Sequence, residues 1–130
     1  MSSSDEGVIH TSNNRATNSD IDSLMQEAQT CFYFQEFDRA KELLEKVISK
    51  DSKLPAPYHI FGLICEEMNQ PEKAASFFML AAKMTQNDPN LWAKVAYSYK
   101  NLEHYKEAIY GFSRAILNNK TPNADLMKEK

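Results

Sequence analysis

The chain is 130 residues long, with 42% hydrophobic and 25% charged residues and a formal net charge of −3, a balance opposite to that of proteins that neutralise nucleic-acid phosphates. No apolar run approaches the roughly 20 residues that span a bilayer, and MSSSDEGVIH at the N-terminus has neither the basic start nor the apolar stretch of a signal peptide. These features predict a soluble protein of the nucleus or cytosol, with no membrane and no direct nucleic-acid contact.

Residues 1–19 are polar, rich in Ser and Asn, and almost free of large apolar side chains. Such a segment buries too little to offset its ordering entropy, so a flexible tail is expected. From Asp20 onward apolar residues recur at helical spacing. The breaks between them predict six helices, at about 20–34, 37–50, 55–68, 71–84, 89–102 and 105–118. Pro71 and Pro89 fit first-turn positions, where the missing N–H has no helical partner anyway. Asn87 and Asp88 supply capping oxygens ahead of Pro89, and Asp20 stands where it would cap the first helix. Residues 123–130 read as the start of a further helix or a C-terminal tail. No stretch alternates with the period of two that a strand needs, so the fold class is all-α.

One period runs through the chain. Ala40, Ala74 and Ala108 are 34 residues apart, and so are Ala28, Gly62 and Ala96. Leu24, Tyr58 and Trp92 repeat the interval, as do Leu44, Phe78 and Phe112, and Val47, Ala81 and Ala115. The small residues allow the two helices of a hairpin to approach closely, and the Leu44, Phe78, Phe112 column fills the space between one hairpin and the next. The third copy reads Trp92-x-x-Val95-Ala96-x-x-Tyr99, then Ala108-x-x-x-Phe112-x-x-Ala115, and resembles the tetratricopeptide repeat. That resemblance implies a right-handed α-solenoid of three helical hairpins, at about 20–54, 55–88 and 89–122, plus the start of a fourth. Copy one departs from the pattern at Glu27, and the proline usual near the end of each copy is replaced by Ser52, Gln86 and Lys120. A related 35-residue repeat reads RNA one base per unit; the strict 34 and the acidic charge argue against it.

Little in the sequence suggests catalysis. Cys31 and Cys65 are one period apart, which places them on the order of 10 Å from each other in adjacent hairpins, too far for a disulfide. They are expected as core-facing thiols. His10, His59 and His104 share no ligand spacing, and Glu66 and Glu67 point about 100° apart on a helix. Gly7, Gly62 and Gly111 are isolated, so no phosphate-cradling loop is present. No catalytic, metal or cofactor-binding residue is assigned. Phe32, Phe34, Phe37, Phe61, Phe77, Phe78, Trp92, Tyr99, Tyr105 and Phe112 fall at core spacing.

Partner proteins are expected instead in the groove that the first helix of each tetratricopeptide hairpin lines. Projected onto this sequence, the candidate groove residues are Met25, Gln29 and Tyr33, then His59, Leu63, Glu66 and Glu67, then Asn90, Tyr97, Lys100 and Asn101. They suit an extended peptide or a helix. In members of the family that grip chaperone C-terminal carboxylates, five positions form a clamp. Here they hold Met25, Gln29, Ile60, Asn90 and Lys94, and only Lys94 keeps a charge.

A closer resemblance runs from Pro57 to Leu117. Glu72-Lys73-Ala74, Met79-Leu80-Ala81-Ala82, Asp88 near Leu91-Trp92, and Ala108-Ile109-Tyr110 ahead of Ser113-Arg114-Ala115-Ile116 resemble the N-terminal array of the large tetratricopeptide subunit of transcription factor IIIC. The resemblance implies a nuclear, non-catalytic scaffold that helps recruit initiation factor IIIB to genes of RNA polymerase III. The alternative is a generic cytoplasmic adaptor or chaperone cofactor. In either case self-association, further repeats or a partner is expected at the C-terminal end, where the apolar side of Phe112 and Ile116 is exposed if no capping helix follows.

Overall fold

The computed structural model describes residues 2–85 and 87–118, with side chains from Asn18 onward. Six α-helices follow one another: α1 (Ser2–Tyr33), α2 (Phe37–Lys50), α3 (Pro55–Glu67), α4 (Pro71–Thr85), α5 (Pro89–Asn101) and α6 (Tyr105–Asn118). Among the described residues there is no β-strand. From α2 onward the helices match the sequence expectation to within a residue at each end. Pro55 and Pro89 each open a helix at its first turn. Asp88 caps α5, its Oδ1 accepting from the N–H groups of Asn90 at 3.1 Å and Leu91 at 3.2 Å.

The N-terminus differs from expectation. The flexible tail expected over residues 1–19 is replaced, from Ser2, by a continuation of α1, so Asp20 lies inside the helix and does not cap it. Residues 2–19 contain no proline and one glycine, so nothing in the backbone chemistry halts a helix already nucleated by the amphipathic turns that follow. The expected further helix at 123–130, and the positions Gln86 and Lys120, lie outside the described residues.

The chain divides into two compact units, Met1–Lys53 and Leu54–Lys130. In the first, α1 and α2 form a hairpin. Ala28 and Ala40 are fully buried, as are Leu43, Leu44 and Val47. Cys31 is buried too, and burial, with the Glu36 carboxylate beside it, pushes its thiol pKa up. Glu27, the departure from the repeat pattern, pairs with Arg39 of α2 at 3.0 Å. Both side chains are about half exposed, so the pair contributes at most about 1 kcal/mol.

In the second unit α3 packs on α4, α5 packs on α6, and α4 also packs on α5. Its core holds Cys65, Ala74, Phe78, Ala81, Ala82, Leu91, Trp92 and Val95. Phe78 therefore does what the period assigned to it, filling the space between the two hairpins. It also explains Gly62: a Cβ added there would lie 2.5 Å from Phe78 Cε1. Two expected core aromatics are not core. Phe34 is 73% exposed and Tyr105 is 59% exposed. Phe34 follows the last residue of α1, where the helical period no longer directs its side chain, and Tyr105 is the first residue of α6.

The turn inside each hairpin repeats with the sequence period. Gln35, Asn69 and Glu103 have φ of 63°, 60° and 64°. In each turn the following N–H reaches back five residues, from Glu36 to the Cys31 carbonyl, Gln70 to Cys65 and His104 to Tyr99, at 2.8, 2.8 and 2.9 Å. These bonds satisfy carbonyls that the helix end leaves open. The left-handed residue is never glycine here, at a cost of about 1 kcal/mol for each turn.

Candidate partner-binding face

The first helices of the hairpins are α1, α3 and α5, and none of the eleven candidate groove residues is buried. On α1, in the first unit, Gln29 and Tyr33 are exposed and Met25 is half-buried. On α3 and α5, in the second unit, Glu66, Glu67, Asn90, Tyr97, Lys100 and Asn101 are exposed, while His59 and Leu63 are half-buried. Leu63 packs against the core, so it is turned partly away from the face.

The structure connects α3 and α5 through side chains. Lys94 Nζ lies 3.1 Å from Glu66 Oε2 and 5.2 Å from the centroid of the Phe78 ring. The His59 ring meets the same Phe78 edge-on, with centroids 5.7 Å apart. One buried aromatic from α4 thus meets a histidine and a lysine, and the lysine reaches a glutamate. Burial lowers the His59 pKa below its usual value, Lys94 adds to that lowering, and Asp88 and Glu66 oppose it. In the sequence Lys94 stands out only as a lone clamp position, yet it is the residue that joins the two helices. Its place four residues after Asn90 on α5 is the signal that puts it on the same face.

Further along α5, Tyr97 is 54% exposed. Its ring meets Phe112 of α6 edge-on at 5.1 Å, and Lys100 Nζ lies 5.9 Å from its centroid. The tyrosine is thereby oriented while about half of it stays exposed to solvent, the arrangement of an amphipathic contact residue. A surface depression of about 330 Å³, lined by Gln70, Pro71, Glu72, Lys73 and Leu102, lies apart from these residues. Among the described residues no group of three or more His, Cys, Asp or Glu side chains could hold a metal ion. Among them, too, no helix is long and apolar enough to cross a membrane.

Residues 56–88, which include α3 and α4, match the family model described as "Tetratricopeptide repeat". Residues 56–88 carry a tetratricopeptide repeat. It is 30% identical over 102 residues to the transcription factor tau 131 kDa subunit of Saccharomyces cerevisiae, a match that covers 78% of this chain and 10% of that protein. The chain thus spans about a tenth of the length of the curated relative it matches. Among solved structures it is similar to MamA, with TM-score 0.71 and 15% identity over 80% of this chain and 61% of that one. It is also similar to the Sgt2 TPR domain from Aspergillus fumigatus, with TM-score 0.66 and 20% identity, covering 77% of this chain and 66% of the other. A further likeness is to a chain of the CopN–Scc3 complex, with TM-score 0.70 and 13% identity over 84% and 65% of the two chains. At these identities the solved structures establish the fold: all-α hairpins of the tetratricopeptide type.

Proposed function

We propose that this chain acts without catalysis, as a protein-binding scaffold whose α3–α5 face seats a partner, within a nuclear transcription-factor assembly of the kind its yeast relative is named for. The face itself carries the scaffold reading. It presents an oriented, half-exposed tyrosine beside a lysine, two glutamates and two asparagines, a mixture that suits a peptide or helix with both apolar and polar side chains. The 30% identity to the tau subunit supports the assembly and the nuclear location. Recruitment of initiation factor IIIB for RNA polymerase III is what the resemblance of residues 57–117 adds.

The clamp comparison favours this reading over the chaperone-cofactor one. Lys94, the one cation kept at a clamp position, is already bound by Glu66 at 3.1 Å, so it lacks a free charge to offer a carboxylate. Immobilised chain incubated with nuclear extract is expected to retain RNA polymerase III transcription factors and to release them on Tyr97→Ala with Lys100→Glu. Retention of chaperone C-terminal peptides in place of those factors would contradict the reading and establish the cytoplasmic adaptor.

A further inference from the structure

The tip of the first hairpin carries aromatic rings where the other two hairpins carry polar groups. One and two periods after Phe32 and Tyr33 stand Glu66 and Glu67, then Lys100 and Asn101. All four of those residues are exposed, although α4 packs on α5, so that Glu66 and Glu67 have a hairpin stacked after theirs and Lys100 and Asn101 one stacked before. Stacking therefore covers these positions from neither side, and the fold forms with charge there. Packing between repeats does not account for rings at Phe32 and Tyr33. The same holds for Phe37, whose counterparts Pro71 and Tyr105 are exposed as well.

In the first unit these rings form one surface. Tyr33 and Phe34 are 79% and 73% exposed. Phe32 is half-buried, and its ring centroid lies 6.0 Å from that of Tyr33 and 6.0 Å from that of Phe37. Large apolar side chains exposed side by side, unlike single ones, mark an interaction surface. Carboxylates border it. Glu36 and Asp38 flank Phe37 in the chain and are exposed, and among the described residues neither enters an ion pair. The adjacent cation, Arg39, is taken by Glu27 at 3.0 Å and Glu42 at 3.8 Å. The surface thus offers ring faces together with unbalanced negative charge. Arginine answers both, because its guanidinium stacks on an aromatic face and pairs with carboxylates. An acidic segment would be repelled, and a second copy would bring the same acidic border against itself.

We propose that the aromatic tip of the α1–α2 hairpin binds an arginine-bearing segment of a partner protein. The guanidinium stacks on the Tyr33 ring, an apolar neighbour lies against Phe34, and Glu36 and Asp38 supply the counter-charge. The surface belongs to the first unit, so the inference does not rest on the α3–α5 reading.

Fluorescence polarisation of a labelled peptide alternating arginine and leucine, titrated with the full chain up to roughly 500 µM, tests the proposal. Saturable binding is expected, and the same peptide with glutamate in place of arginine should not bind. Tyr33→Ser with Phe34→Ser should weaken binding at least about tenfold with an unchanged helical spectrum. Glu36→Gln with Asp38→Asn should weaken it less and flatten its dependence on salt. Leu80→Ser, at an exposed position of α4, should bind as the natural chain does. No binding at any concentration, or equal binding by the Tyr33→Ser, Phe34→Ser variant, would overturn the proposal. Equally tight binding of the glutamate peptide would overturn the arginine assignment. Sedimentation of the chain alone covers the remaining occupant: dimers that the two serines abolish would assign the surface to a second copy instead. None of these results depends on whether a partner sits on the α3–α5 face.

Discussion

Lys94 on α5 is held 3.1 Å from Glu66 on α3 while its ammonium lies over the Phe78 ring of α4. Three helices thus meet at one lysine. Each contribution is modest, because both partners of the ion pair are more than a third exposed; the pair is worth at most about 1 kcal/mol and the cation–π contact about 0.5–1. Lys94→Met is therefore expected to lower stability by about 1 kcal/mol, read as a shift in urea midpoint at constant slope. Its larger effect should be on the partner, since Glu66 would then carry an unbalanced charge on the binding face.

Gly62 on α3 faces the Phe78 ring of α4 with no room for a Cβ. Gly62→Ala would place a methyl group 2.5 Å from the ring, and overpacking of this kind costs about 1–3 kcal/mol. Combining it with Phe78→Leu should recover part of the loss. A double-mutant cycle by chemical denaturation is expected to show a coupling of at least about 0.5 kcal/mol between the two positions.

The left-handed turn residues offer the opposite sign. Glu103 has φ of 64° in a turn that glycine adopts without steric cost. Glu103→Gly should stabilise the chain by about 1 kcal/mol, partly offset by the greater freedom of glycine in the unfolded state. Thermal unfolding of Gln35→Gly and Glu103→Gly should both show raised midpoints.

His59 supplies a pH dependence. Its pKa is lowered in the folded state, first by burial. Below about pH 6.5 the unfolded chain then binds more protons than the folded one, so stability falls with pH. The contribution is complete above about pH 6.5 and is lost as pH drops through the folded value. Urea midpoints measured from about pH 7.5 to pH 5 should fall, and His59→Gln should flatten that part of the profile.

Much of the fold was legible because a 34-residue period forces equivalent residues into equivalent surroundings. The Ala28, Gly62, Ala96 column is buried throughout, and Phe78 links the two hairpins of the second unit as its column required. What the period could not give was anything decided by single contacts. The turns at Gln35, Asn69 and Glu103 carry no glycine to announce a positive φ. Phe34 has core spacing by count, but it lies past the end of its helix, where spacing stops directing side chains. The α1 extension is not legible in the sequence, because a polar composition speaks against burial and says nothing on whether backbone hydrogen bonds continue. On the binding face, exposure was readable from the helical projection, whereas the Glu66–Lys94 pair depends on how α3 and α5 are set side by side.

The central claim is that a protein partner sits on the α3–α5 face. A photo-crosslinking phenylalanine analogue placed at Tyr97, with a control at Leu80 on α4, tests it most directly. Irradiation in nuclear extract should couple position 97 to one transcription-factor protein and leave position 80 uncoupled. Equal coupling at both positions, or none at position 97 while the immobilised chain still captures its partner, would contradict the account.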